Sequence, residues 1–341
     1  MSKKILSFDL GYGSIKVGYK TPTGQFYYQK IVTAIGQVEE NDIFDTKDTN
    51  FYEYENEFYY IGQPALYLPS KQLIDLNDYK SLRRISPIII QYYLDKLDTD
   101  EHIKFDSIVV GLSLAYSKDS IDYKKHLESK LKLEVTVLPQ GISSMFAIEK
   151  YGLDPTDESQ TTNGKITDYI GIDLGFNTVD IFNVIRRNCS LNATRGYEGQ
   201  GVIVVAKKLK DYVTQQQKIE LSVQDFKNIL ETGSLSHRGI DIDLSEKIHE
   251  YVVDYLIDTI DIVEADFEAA INKVKRLIMV GGGASLIKKY LNDSKLQTYL
   301  SQKYPGNFLV IPNLPEFYNM FGYYAKAEAE YKSQVSSQKE N

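Results

Sequence analysis

Asp9-Leu-Gly-Tyr-Gly-Ser-Ile-Lys16 and Asp173-Leu-Gly-Phe-Asn-Thr-Val-Asp180 are two versions of one eight-residue phrase. Each follows a short apolar run, Ile5-Leu-Ser-Phe8 in the first copy and Tyr169-Ile-Gly-Ile172 in the second, and each leads into further apolar residues. The local pattern predicts a strand, a glycine turn and a second strand. One Asp-x-Gly after a strand is a common turn and carries little weight alone. A matched pair is different, because chance must supply the strand, Asp, Leu, Gly, aromatic and β-branched residues twice. The repeat predicts two related half-domains, each offering a glycine turn and a carboxylate to one shared ligand. A metal-bound nucleoside triphosphate is the ligand that fits.

The residue types carry that chemistry. Gly11 and Gly13 let backbone N–H groups approach a phosphate, with Tyr12 and Ser14 in the same turn. Gly175, Phe176, Asn177 and Thr178 form the corresponding turn of the second copy. Asp9 and Asp173 end their strands, and two carboxylates facing a triphosphate would repel it without a hard cation between them. Magnesium held partly through water is the natural choice. Lys16, seven positions after Asp9, can reach a β- or γ-phosphate as a point charge. The corresponding residue of the second copy is Asp180, which suggests one phosphate clamp and one metal-side clamp. A third glycine element, Gly281-Gly282-Gly283, lies between a buried strand and a helix. It can lie against a base or α-phosphate, or be a plain tight turn, and it lacks Gly-x-Gly-x-x-Gly spacing. Gln140 follows Pro139 and can orient a water toward a γ-phosphate; taken from this stretch alone, a surface turn is the favoured reading.

The whole chain sets the outer limits. Its 341 residues suit two domains of ordinary size. A hydrophobic content of 43% and a charged content of 25% are those of a soluble globular protein. The formal charge of −8, from 39 basic and 47 acidic residues, leaves no overall basic footprint for direct nucleic-acid binding. The single cysteine, Cys189, excludes an intramolecular disulfide and fits a cytoplasmic location. The N-terminal apolar run is too short for a signal peptide, and no stretch is long enough to span a membrane. Cys189 and the four histidines, His102, His126, His237 and His249, have no metal-ligand spacing.

Along the chain, residues 3–35 read as a meander of strands, and Phe51-Tyr-Glu-Tyr54 with Phe58-Tyr-Tyr-Ile61 as a hairpin. Helices are expected over 71–97, 119–131, 201–216, 222–231, 245–272 and about 317–332. Strands are expected at 106–113, 134–138 and 276–280. Ser143 is a candidate cap for a helix through about Lys150 that Gly152 ends. The polar stretch 153–164 reads as a loop joining the halves, and 333–341 as a polar, frayed tail. Strands interleaved with helices make this an α/β fold.

In order, these elements resemble the actin-like ATPase superfamily, which also includes sugar kinases and the seventy-kilodalton heat-shock chaperones. Asp9 to Lys16 resembles its first phosphate motif and Pro139 to Gly152 its first connecting helix. Asp173 to Asp180 resembles the second phosphate motif, Ile278 to Ile287 the adenosine motif, and Pro315-Glu-Phe-Tyr-Asn-Met-Phe-Gly322 the second connecting helix. Within the superfamily the chain is most similar to the ParM/StbA plasmid-segregation actins and their archaeal relatives, on residues 9–16, Tyr59-Tyr-Ile-Gly62 with Ala65, Val109 to Ser113, and Pro139-Gln-Gly141. The resemblance implies a duplicated actin-like (ribonuclease H-like) fold with two domains around a central nucleotide cleft. Domain I would be 1–152 with the helix 317–332 packed back on it, and domain II 165–316. It implies ATP, or GTP, with Mg2+, hydrolysis by Gln140, Asp9 and Asp173, self-assembly into filaments, and DNA contact only through a separate DNA-binding adaptor. No membrane partner is expected. Gln140 stands where the ParM motif has glutamate and true actins have glutamine, so it can orient water but not accept its proton. Other fates of the same superfamily are a small-molecule kinase, for which no acceptor motif is seen, and a cell-shape cytoskeletal protein. Lys207 and Lys208 lie on a plausible purine-side helix.

Overall fold

The structure is a computed structural model, and it describes residues 3–39, 51–74, 76, 78–155, 166–219, 221, 223–304, 306 and 308–339. The chain divides into two compact units, one of Met1–Leu112, Tyr116–Phe146 and Asn319–Asn341, the other of Ser113–Ala115 and Ala147–Tyr318.

The first unit is built on a five-stranded sheet. Its strands in chain order begin with β1 (Ile5–Leu10), β2 (Ser14–Lys20) and β3 (Phe26–Val32). A separate three-stranded sheet follows, of β4 (Ile35–Val38), β5 (Phe51–Tyr54) and β6 (Glu57–Ile61). Helix α1 (Tyr79–Glu101), β7 (Ser107–Leu112), α2 (Ser120–Leu131) and β8 (Glu134–Pro139) complete the main sheet in the order β3-β2-β1-β7-β8. Strands β1 and β7 are parallel neighbours and every residue of both is buried, which is why they are mostly apolar, with only Ser7, Asp9 and Ser107 polar. Helix α3 (Ser144–Tyr151) leads out of this unit.

The second unit repeats the plan. Strands β9 (Tyr169–Leu174), β10 (Thr178–Ile185) and β11 (Asn188–Glu198) are followed by α4 (Ile203–Gln217) and α5 (Val223–Thr232). A small hairpin of β12 (Ser234–His237) and β13 (Ile240–Asp243) precedes α6 (Ser245–Ile271). Then come β14 (Leu277–Val280), α7 (Gly282–Ile287), α8 (Ser294–Lys303) and β15 (Leu309–Val310). The sheet order is β11-β10-β9-β14-β15, the same as in the first unit. The two copies of the sequence phrase therefore occupy the same place in two sheets of identical order. The last helix, α9 (Tyr318–Lys339), belongs to the first unit from Asn319 onward.

Three elements differ from the sequence expectations. The helix expected over 71–97 starts at Tyr79, because the Asp78 carboxylate accepts the Ser81 amide at 2.7 Å and the Ser81 hydroxyl oxygen accepts the Asp78 amide. Pro87 sits inside this helix and cannot donate to the Arg83 carbonyl one turn back. The His126 Nε2 meets that carbonyl at 3.1 Å, so this histidine repairs a helix. Ser143 does not cap a helix as expected; its hydroxyl donates back to the Pro139 carbonyl at 2.7 Å, and α3 begins one residue later. The stretch from Ser333 to Lys339, expected as a tail, continues α9, with Ser336 and Ser337 hydroxyls bonded to carbonyls one turn back. Residues 156–164 of the expected loop, and 340–341, lie outside the described residues.

Candidate functional site

In the first hairpin the antiparallel register places Asp9 directly opposite Lys16. That pairing reflects a short glycine turn, residues 11–13, which closes the two strands and brings Lys16, seven positions after Asp9, across from it. Both side chains are buried, and the Lys16 Nζ lies 3.7 Å from the Asp9 Oδ2. The other carboxylate oxygen, Oδ1, accepts the Gln140 Nε2 at 2.9 Å. Burial pushes the Asp9 carboxyl up, against the Lys16 charge, the Gln140 amide and the Tyr323 hydroxyl, which favour the ionised form. Gln140 is half-buried at the end of β8, where its own amide extends the sheet by donating to the Leu112 carbonyl. It is a turn residue, as the local sequence favoured, but a half-buried one whose side-chain amide is engaged by Asp9. Residues 11–14 of the turn stay partly open to solvent. A Cβ at Gly11 would lie 2.8 Å from the Ser14 carbonyl oxygen, so the turn closes this tightly only on glycine. The Gly11 carbonyl is held by the Thr33 hydroxyl at 2.6 Å.

In the second hairpin the same register pairs Asp173 with Asp180. Where the first copy sets a cation against its carboxylate, the second sets carboxyl against carboxyl, both buried. Asp180 receives the Ser113 hydroxyl at 3.3 Å and a bond from the Leu114 amide. Gly196 opposite makes room for it: a Cβ there would sit 2.8 Å from the Asp180 Oδ1. The turn of Gly175, Phe176, Asn177 and Thr178 is tied to the start of α4. The Gly175, Phe176 and Asn177 carbonyls accept the amides of Val202, Ile203 and Gly201. Gly281 has a φ of 94° and its missing Cβ would fall 2.3 Å from the Asp173 Oδ1, so this glycine is required beside the carboxylate. Gly282 keeps partial exposure, whereas Gly283 is buried against Leu174 and Val202. Lys207 and Lys208 are exposed on α4.

The carboxyl pair has a measurable consequence. Burial first, and then the Asp173 charge, hold the Asp180 carboxyl well above the usual range, outweighing Ser113 and Leu114. In the unfolded chain the same group titrates near ~4. The folded state binds the proton more tightly, so this contribution to stability is present at low pH and is lost as pH rises through the folded value. Asp9, also raised, acts with the same sign. Asp180→Asn should raise the urea-unfolding free energy at pH 8 by on the order of 1–2 kcal/mol, with the gain shrinking toward pH 4. A gain independent of pH would show that the carboxyl is not the cause.

Among the described residues no three His, Cys, Asp or Glu side chains are grouped to hold a metal ion. Two residues beside the carboxylates escaped the sequence reading. Ser113 was visible only as the end of a buried strand, and Tyr323 had no local signal at all.

Two sheets of one order, each carrying an Asp-bearing hairpin at the same place, form the actin-like fold. A 15-stranded ParM filament subunit from Clostridium botulinum superposes with a TM-score of 0.68 at 20% identity, covering 97% of this chain and 100% of that one. The archaeal actin homologue Ta0583 in complex with ADP gives 0.65 at 14% identity, with 96% and 99% covered. Bacillus thuringiensis ParM with ATP gives 0.60 at 12% identity, with 97% and 100% covered. Residues 171–293 match the family described as archaeal actin homologue MreB-like, C-terminal. No curated protein is significantly similar in sequence. No helix among the described residues is long and apolar enough to cross a membrane.

Proposed function

We propose that this chain is an ATP-hydrolysing, actin-like protein that assembles into filaments, and that those filaments move plasmid or other DNA through a separate adaptor. The observation that carries the reading is the duplicated hairpin, which sets Asp9 against Lys16 and Asp173 against Asp180 at matching places in two matching sheets. The turns 11–14 and 175–178 offer backbone N–H groups to phosphate oxygens. Lys16 binds a phosphate as a point charge, and Asp9 and Asp173 orient the water shell of a magnesium ion. That ion would neutralise charge on the β- and γ-phosphates. Gln140 orients the attacking water; having no basic group, it does not take the proton. The nucleotides named for Ta0583 and the Bacillus thuringiensis ParM support the choice of ATP over GTP, and the Clostridium botulinum filament supports self-assembly. The formal charge of −8 favours an adaptor over direct DNA contact.

Phosphate release and sedimentation test this together. ATP with magnesium should yield both turnover and a pelletable fraction that falls as the nucleotide is consumed, and GTP should support less of each. Turnover that appears only on adding a sugar or a short acid would assign the chain to small-molecule kinases. Absence of any pellet with ATP, GTP or a slowly hydrolysed analogue, over a wide range of protein concentration, would remove the filament.

A further inference from the structure

We infer that Asn319, on the first turn of α9, is a positioning residue for Gln140. The inference rests on the reading of Gln140 as the residue that orients water.

Gln140 stands at the head of a turn with little backbone freedom. The Gln140 carbonyl accepts the Ile142 amide at 2.8 Å, and the Gly141 carbonyl accepts the Ser144 hydroxyl at 2.6 Å. The remaining polar group of the peptide linking residues 140 and 141 is the Gly141 N–H. It donates to the Asn319 Oδ1 at 3.0 Å, across 178 positions of sequence. Asn319 is only 4% exposed, so no water stands ready to replace it. The orientation of that peptide sets ψ of Gln140 and φ of Gly141, which is +73°. It thereby sets the direction from which the Gln140 side chain leaves the backbone.

The same helix face packs closely on the turn and the sheet around it. Asn319, Gly322 and Tyr323 are spaced i, i+3 and i+4, so they share one face of α9. Tyr323 packs against Gly111 of β7, where a Cβ would lie 1.9 Å from its hydroxyl oxygen, so this face of α9 lies close on the sheet that carries Asp9. Gly322 lets the helix backbone come against the Ser143 carbonyl, which keeps Asn319 within reach of Gly141. The backbone that carries the Gln140 side chain is thus tied to one rigid element. A displacement of about 1 Å at a water-orienting group can cost roughly a hundredfold in rate.

The test compares wild type, Asn319→Ala, Asn319→Asp and Gln140→Ala in the full chain with ATP and magnesium. Asn319→Ala should lower kcat by about tenfold to a hundredfold while KM changes less than about threefold. Asn319→Asp, which keeps the acceptor oxygen, should recover most of the loss. In the nucleotide-free protein, amide exchange at Gly141 should quicken at least about tenfold in Asn319→Ala. Should the alanine variant fail to fold, Asn319→Ser, whose hydroxyl does not reach Gly141, is read the same way. Normal kcat in Asn319→Ala beside a crippled Gln140→Ala would overturn this inference alone, as would unchanged Gly141 exchange. Normal kcat in Gln140→Ala would overturn the catalytic reading itself.

Discussion

Gly322→Ala should cost about 3 kcal/mol of stability, at the top of the usual range for overpacking, even though alanine is the better helix former. The added Cβ would lie 1.8 Å from the Ser143 carbonyl oxygen, 2.6 Å from its carbon and 3.2 Å from the Ser144 nitrogen. All three are backbone atoms and cannot swing aside. Relief requires α9 to retreat from the 141–144 turn by more than about 1 Å, since protein interiors have no slack to absorb it. Retreat strains the Asn319–Gly141 bond and the buried bond from the Ser7 hydroxyl to the Met320 carbonyl, 2.8 Å long. The gain in helix propensity, about 1 kcal/mol at most, does not offset this. Urea unfolding followed by circular dichroism measures the difference. A variant as stable as wild type would mean that the two backbones are not in contact at this point.

Asp173→Asn should move function and stability in opposite directions. Nucleotide turnover should fall at least about a hundredfold, because the amide loses the charge that orients a cation's water shell. The nucleotide-free protein, by contrast, should unfold on the order of 1–2 kcal/mol later at pH 7–8. The reason is the strand register: Asp173 faces Asp180 across the hairpin, both are buried, and replacing either removes the repulsion. Such opposition is expected where a site stores unfavourable charge for a ligand to neutralise. Wild-type turnover in the variant would remove Asp173 from the site. A loss of stability instead would mean that its carboxylate has a structural partner that outweighs Asp180.

The second-half hairpin also explains why the duplication is not symmetrical. In the first copy Lys16 supplies the opposite charge within the protein, so Asp9 is partly neutralised before any ligand arrives. In the second copy the corresponding position adds a further acid, which accepts hydrogen bonds from Ser113 and Leu114. One residue change at the seventh position therefore separates a carboxylate that faces a cation from one that faces a second acid.

Much of this was legible in the linear chain. The β1–β2 and β9–β10 hairpins follow from apolar strands around glycine turns, and the register of a tight hairpin fixes which residues face each other. The buried stripe of α6, with Ile248, Val252, Leu256, Ile260 and Val263, has helical spacing and lies in the core of its unit. Capping chemistry was less legible: the start of α1 depends on Asp78 and Ser81 acting together, and Ser143 resembles a cap while bonding elsewhere. The two-residue turn between β12 and β13, at Arg238 and Gly239, both with positive φ, had no strong alternation beside it to announce a hairpin.

By itself, then, the sequence determined the α/β class and the two Asp-bearing hairpins at the start of each half. Each is a matter of neighbours within one short segment, where backbone geometry leaves few choices. Only the tertiary structure decided that Gln140 meets Asp9 across 131 positions, that Asn319 holds Gly141 across 178, and that His126 serves the carbonyl freed by Pro87. Those contacts depend on sheet order and on how closely one helix can approach another turn. Such distances are set by the packing of whole elements and leave no periodic trace in the residues that make them.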